Sequence, residues 1–125
     1  MDEAAPGECG GMRVIYIAGP YRAATQWGVE QNIRTAEAAM LQVAAMGLVP
    51  LCPHTMTRYM DGTLTDDYWL MATMEMLRRC DGMLLCGDWE HSSGTLGECR
   101  EARERGIPIY DNLAELAASM DVNVL

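Results

Sequence analysis

The chain has no phenylalanine and only 9 basic residues against 18 acidic ones, giving a formal charge of −9 and an isoelectric point near 4.5. So acidic a chain repels a phosphate backbone at long range, which argues against DNA or RNA polymers as partners. A small anion remains admissible where a local pocket supplies donors. No apolar run approaches the roughly 18 residues of a membrane span, and no basic start precedes a long apolar stretch. The cysteines Cys9, Cys52, Cys80, Cys86 and Cys99 are odd in number and form no C-x-x-C pair. A disulfide framework is therefore not expected, and the compartment is predicted to be reducing. Together these absences predict a soluble cytoplasmic protein with no membrane partner. The long phosphate loop with its lysine is also missing, which weighs against an ATPase.

What is present is a 125-residue chain, half of it hydrophobic, with 11 methionines and abundant alanine. This length suits one compact domain with one site per chain, which a second copy could complete. Flexible thioethers suit irregular gaps, so the methionines are expected in the core. Residues 1–11 are polar and glycine-rich and read as a flexible leader, with the domain occupying 12–125.

Short apolar runs alternate with helical periodicity. Arg13 to Ala18 reads as a buried strand ending at Gly19-Pro20. From about Val29 to Met46, Ile33, Ala36, Met40 and Val43 recur at steps of three and four, and Gly47 stands as the C-cap. Leu48 to Cys52 is a second strand, placed at a sheet edge by Pro50, with Pro53-His54-Thr55 at its end. Residues 56–66, with the Asp61-Gly62 turn signal, read as a long loop able to act as a lid. Thr65 or Asp66 caps a helix to about Arg79 with Leu70, Met74 and Leu77 on one face. A strand at Gly82 to Cys86, a helix from about Leu96 to Arg105, a strand at Ile107 to Tyr110 and a helix from Asn112 to Met120 complete the chain. This alternation predicts an α/β fold: a single-domain, doubly wound parallel sheet of flavodoxin-like or Rossmann-like type, four to five strands with helices on both faces. Ligands of such sheets bind beyond the carboxyl ends of the strands. That rim collects Gly19 to Arg22, Pro53 to Thr55 and Asp88 to Glu98.

Ser92-Ser93-Gly94-Thr95 precedes a helix, so its N–H groups and hydroxyls could hold a phosphate or carboxylate. Arg22 could add a bidentate contact, or be a solvated loop charge. Thr95-Leu96-Gly97-Glu98 fits a capping box, and spacing alone favours that role for Glu98. Cys52-x-His54 lacks a second pair of ligands, so no metal and no cofactor is expected. His54 is either a pocket-lining residue or an ordinary loop histidine, and Tyr16, inside a strand, reads by default as core.

Taken in order, Ile15-Tyr16-Ile17-Ala18-Gly19-Pro20-Tyr21-Arg22, Pro53-His54-Thr55, Cys80-Asp81 to Gly87-Asp88-Trp89-Glu90 and Ser92-x-Gly94-x-x-x-Glu98 resemble the nucleoside 2-deoxyribosyltransferase-like superfamily. The resemblance runs from about residue 12 to 112. It is nearest the small bacterial and phage branch and more distant from the deoxynucleoside 5′-monophosphate N-glycosidases. It implies Glu98 as the nucleophile at C1′ of a sugar and Tyr16 as its orienting partner. It further implies Ser92 and Arg22 as contacts to a 5′-phosphate, with Gly19, His54, Asp88 and Gly94 completing a substrate site. The implied activity is hydrolase or transferase chemistry at the N-glycosidic bond of a nucleotide or nucleoside, in a homodimer or higher homo-oligomer. One position departs from the pattern: Thr73 stands where the superfamily places an aspartate that assists the leaving base. A hydroxyl cannot replace that carboxylate in acid–base work at neutral pH. Glu75, some 200° around the helix, is no substitute, and Asp88 or Asp67 would have to serve from elsewhere. The competing expectation is a nucleotide-binding module with impaired turnover.

Overall fold

The computed structural model describes residues 11–60 and 62–120. The expected leader, apart from Gly11, and Asp61 of the expected turn lie outside the described residues. Four parallel strands, β1 (Val14–Ala18), β2 (Val49–Leu51), β3 (Gly82–Leu85) and β4 (Ile109–Tyr110), lie in the order β2-β1-β3-β4. Helices α1 (Gln26–Ala45), α2 (Pro53–Met56), α3 (Asp66–Arg78), α4 (Ser93–Glu104) and α5 (Leu113–Met120) alternate with them, and a turn of 3-10 helix spans Trp89–His91. The doubly wound α/β fold expected from the alternation is present. Pro50 sits on an edge strand, where its missing N–H costs no ladder bond to a second neighbour.

Strand periodicity divides the core in two. Ile15 and Ile17 of β1 point to one face and pack with Ala36 and Val43 of α1 and Leu116 of α5. Tyr16 and Ala18 point to the other and pack with Leu77 of α3 and Cys99 and Ala102 of α4. Both central strands are thus covered on two faces, which explains why they read as unbroken apolar runs. It also places the Tyr16 phenol under α3 and α4. The central crossover between β1 and β3 opens a crevice at their carboxyl ends. Gly19 lets the strands approach there: a Cβ at this position would lie 2.6 Å from the Cys86 carbonyl oxygen.

Several boundaries differ from the expectation, each for a local reason. Helix α1 starts at Gln26 because the Thr25 hydroxyl accepts from the Gly28 N–H at 3.0 Å. Its end is as expected, with Gly47 at φ 83°. Pro53-His54-Thr55 is not a strand end but opens α2, with Pro53 in the first turn where its fixed φ is helical. Thr65, not Asp66, caps α3. On that helix Leu77 is buried while Leu70 is exposed. Helix α4 begins at Ser93, three residues earlier than the apolar pattern indicates, because Ser92 is its N-cap. The methionines are only partly core residues: Met46 and Met83 are buried, whereas Met12, Met56, Met60 and Met71 are exposed. No described helix is long and apolar enough to cross a membrane.

Candidate active site

The cleft beyond β1 and β3 has a volume of about 630 Å³ and lies on the α3/α4 side of the sheet. Its wall includes Gly19, Arg22, His54, Asp88, Ser92, Gly94 and Glu98. Every expected site residue but Tyr16 therefore lines one cavity, and Tyr16 is fully buried behind it.

Glu98 is not a capping residue. Ser92 fills that role, its Oγ accepting from the Thr95 N–H at 3.2 Å and from the Thr95 hydroxyl at 3.0 Å. With the helix starting at Ser93, Glu98 falls in the second turn, and its Oε2 accepts a very short hydrogen bond from the Tyr16 hydroxyl. Burial pushes the Glu98 carboxyl up to about 7, and the Tyr16 hydrogen bond partly opposes this by favouring the anion. The same burial, with the negative charge of Glu98 beside it, raises the Tyr16 hydroxyl well above its ordinary value, so it remains a donor. At neutral pH a large share of Glu98 is ionised, desolvated and held in one orientation by Tyr16.

The Ser92 hydroxyl accepts both contacts within its cap and keeps its own proton to donate. The N–H groups of the first turn, Ser93 and Gly94 among them, have no partner within the helix. Gly94 adds no side chain over them. This terminus and Arg22 face one cleft, with the Arg22 guanidinium 3.4 Å from the Asp66 carboxylate. Asn32 of α1 positions the Arg22 loop, its Nδ2 donating to the carbonyls of Tyr21 at 3.1 Å and Arg22 at 3.4 Å. Sequence spacing carries no signal for this clamp, because it depends on α1 passing beside the loop.

His54 Nε2 lies 2.9 Å from the Pro20 carbonyl oxygen, so that nitrogen carries the proton. Burial lowers the imidazole pKa, leaving the ring neutral, and it meets Tyr21 edge-on with centroids 5.4 Å apart. His54 thus lines the cleft while pinning the loop after β1. Asp88 stands exposed at the rim. Helix α3 contributes Asp66, Trp69 and Leu70, which the sequence did not point to, and Thr73, whose position the resemblance put at the leaving base. Thr73 lies against Tyr16, where hydrogen bonding to the phenol offsets part of the rise in its pKa. Its own hydroxyl donates to the Leu70 carbonyl at 3.0 Å. Glu75 points away into ion pairs with Arg78 and Arg79, as the helical spacing implies. Asp67 does not line the cleft, so of the two carboxylates considered as replacements for the missing aspartate only Asp88 faces it. Among the described residues no cluster of three His, Cys, Asp or Glu side chains is placed to hold a metal ion.

The expected lid is tied down at its start. Arg58 pairs with Glu30 of α1 at 2.5 Å and with Glu37 at 3.7 Å, and Thr57 lines the cleft.

The fold and this cleft define a doubly wound α/β protein with a phenol-held carboxylate at the topological crossover of its sheet. The chain belongs to the family described as Domain of unknown function (DUF7768), whose model matches residues 13–112. A search of the curated proteins found no match. Among solved structures, the fold is similar to a 2-deoxyribosyltransferase from the psychrotolerant bacterium Bacillus psychrosaccharolyticus. The two share a TM-score of 0.60 and 15% identity over 87% of this chain and 82% of that one.

Proposed function

We propose that the protein cleaves the N-glycosidic bond of a nucleoside 5′-monophosphate or related nucleotide, with Glu98 as nucleophile. The observation that carries this reading is the Tyr16–Glu98 hydrogen bond opening into a cleft that also holds a helix N-terminus and an arginine. A buried, oriented carboxylate is suited to attack C1′ as the glycosidic bond lengthens and positive charge develops on the sugar. The base departs with the bonding electron pair and takes up a proton, and the sugar becomes an ester of Glu98. Water attacking C1′ then releases the sugar phosphate and regenerates the carboxylate, whereas a second base gives transfer. Ser92, the first-turn N–H groups of α4 and Arg22 would hold the phosphate, and Gly19, His54 and Asp88 would contact the remainder. The likeness in fold to a 2-deoxyribosyltransferase supports the nucleoside class. Incubation with a panel of nucleoside and deoxynucleoside monophosphates, with free base followed by chromatography, is expected to show release that Glu98→Ala abolishes. Absence of base from every substrate defeats the catalytic reading.

Thr73 favours a second reading. The place of the leaving-group carboxylate is taken by a hydroxyl beside Tyr16, and the carboxylates facing the cleft from the rim, Asp66 and Asp88, are both exposed. A protein that binds nucleotides without turning them over would give calorimetric binding, insensitive to Glu98→Gln, and no product.

A further inference from the structure

We propose that Asp66 governs how strongly the cleft takes a phosphorylated ligand, by occupying Arg22 until a phosphate displaces it. The inference rests on the phosphate reading above and concerns what that phosphate must compete with.

Among the described residues Arg22 is the one arginine or lysine lining the cleft; of the two histidines there, His54 has its pKa lowered by burial and His91 lies at the rim, 3.9 Å from Asp88. The Arg22 guanidinium is already paired, 3.4 Å from Asp66, with both side chains 81% exposed. The backbones on either side are fixed. Asn32 clamps the carbonyls of Tyr21 and Arg22, and Asp66 opens α3 directly after its Thr65 cap. The guanidinium is free to swing on its own side chain, so it can pair with Asp66, stand in water, or meet an anion at the start of α4. An exposed ion pair is worth little, which makes the exchange easy but measurable. A planar guanidinium can grip a phosphate through two parallel hydrogen bonds, whereas its contact with Asp66 is a long ion pair at 3.4 Å. The balance therefore lies with the phosphate, reduced by whatever Asp66 contributes. After the exchange Asp66, like Asp88 a carboxylate lining the cleft, is left with its charge uncompensated. Each further phosphate would meet these carboxylates with only His91, itself beside Asp88, as another basic side chain, so a single phosphate is favoured over polyphosphates.

The test is calorimetric titration of the full chain with inorganic phosphate, one nucleoside, and its mono- and triphosphate. The proteins are the wild type, Asp66→Asn, Arg22→Ala and the double variant, with Asp66→Ser as a second neutral replacement. Neutralising Asp66 is expected to tighten phosphate and monophosphate by about two- to tenfold, the range an exposed ion pair spans once a nearby repulsive charge is also removed. The ratio of triphosphate to monophosphate affinity should rise as well. In the Arg22→Ala background most of the gain should vanish. Equal tightening for nucleoside and monophosphate, an undiminished gain without Arg22, or no phosphate binding in both the wild type and Asp66→Asn overturns the proposal. Binding that follows this pattern without release of base leaves it standing while defeating the catalytic reading, so the two failures are distinguishable.

Discussion

At the scale of single residues, Glu98 links stability to pH through its burial. Its folded-state pKa, near 7, lies above the ordinary value of 4.5, so the folded protein binds the proton more tightly than the unfolded chain. Ionisation therefore penalises the fold: the penalty is absent below about pH 4.5, grows as pH rises, and is complete above about 7. Glu98→Gln removes the charge but keeps an oxygen for Tyr16. It should stabilise the protein by on the order of 3 kcal/mol at pH 8 and by almost nothing at pH 4.5, while abolishing any cleavage. Urea unfolding at the two pH values checks this, and a gap independent of pH contradicts the assigned burial of the carboxylate. This is the stability cost of holding a desolvated charge in the cleft. Thr73 belongs at the same scale. It was recognisable in the sequence as a departure from a pattern, but its place beside the Tyr16 hydroxyl was not.

At the scale of elements, the sheet's carboxyl edge is built by close approach of the segments following β1 and β3, and Gly19 is where that approach is tightest. A methyl group there would meet the Cys86 carbonyl at 2.6 Å and its Sγ at 2.8 Å. Backbone cannot yield as a flexible side chain can, so Gly19→Ala should cost roughly 1–3 kcal/mol in denaturant unfolding. It should also perturb ligand binding, because the displaced segment carries Pro20, to which His54 is bonded. A neutral result would mean that the two strand ends separate freely. Much of this level was legible beforehand. The strands, the two long helices α1 and α3, and the rim were readable from apolar periodicity and turn residues. The errors fell at helix starts: Thr25, Pro53 and Ser92 each begin a helix whose first turn carries no apolar repeat. At Ser92 the error mattered, since moving the cap by three residues moved Glu98 from the first turn of α4 to the second.

At the scale of the whole molecule, large apolar side chains remain in solvent around the start of α3. Leu64 is 54% exposed, Tyr68 47% and Met71 69%, and Tyr68 and Met71 share a helix face. The homo-oligomer expected from the resemblance makes these side chains the place to test association between copies. Sedimentation equilibrium should find a dimer that Met71→Glu converts to monomer, and a monomeric wild type removes that expectation. Because each copy carries a formal charge of −9, added salt should strengthen the association by screening the repulsion.

The sequence by itself determined the alternating architecture, the edge position of β2 and the set of loops that meet at one rim. Each of these follows from interactions between residues near one another in the chain, such as side-chain alternation, caps and turns. It also marked Glu98 as special, but its local spacing pointed to a cap. The resemblance paired it with Tyr16 instead, and tertiary structure makes that contact across 82 residues of chain by setting α4 over the face of β1 that carries Tyr16. The Asn32 clamp and the Arg22–Asp66 pair are of the same kind. They depend on how helices pack across the sheet, and no periodicity along a single segment encodes that.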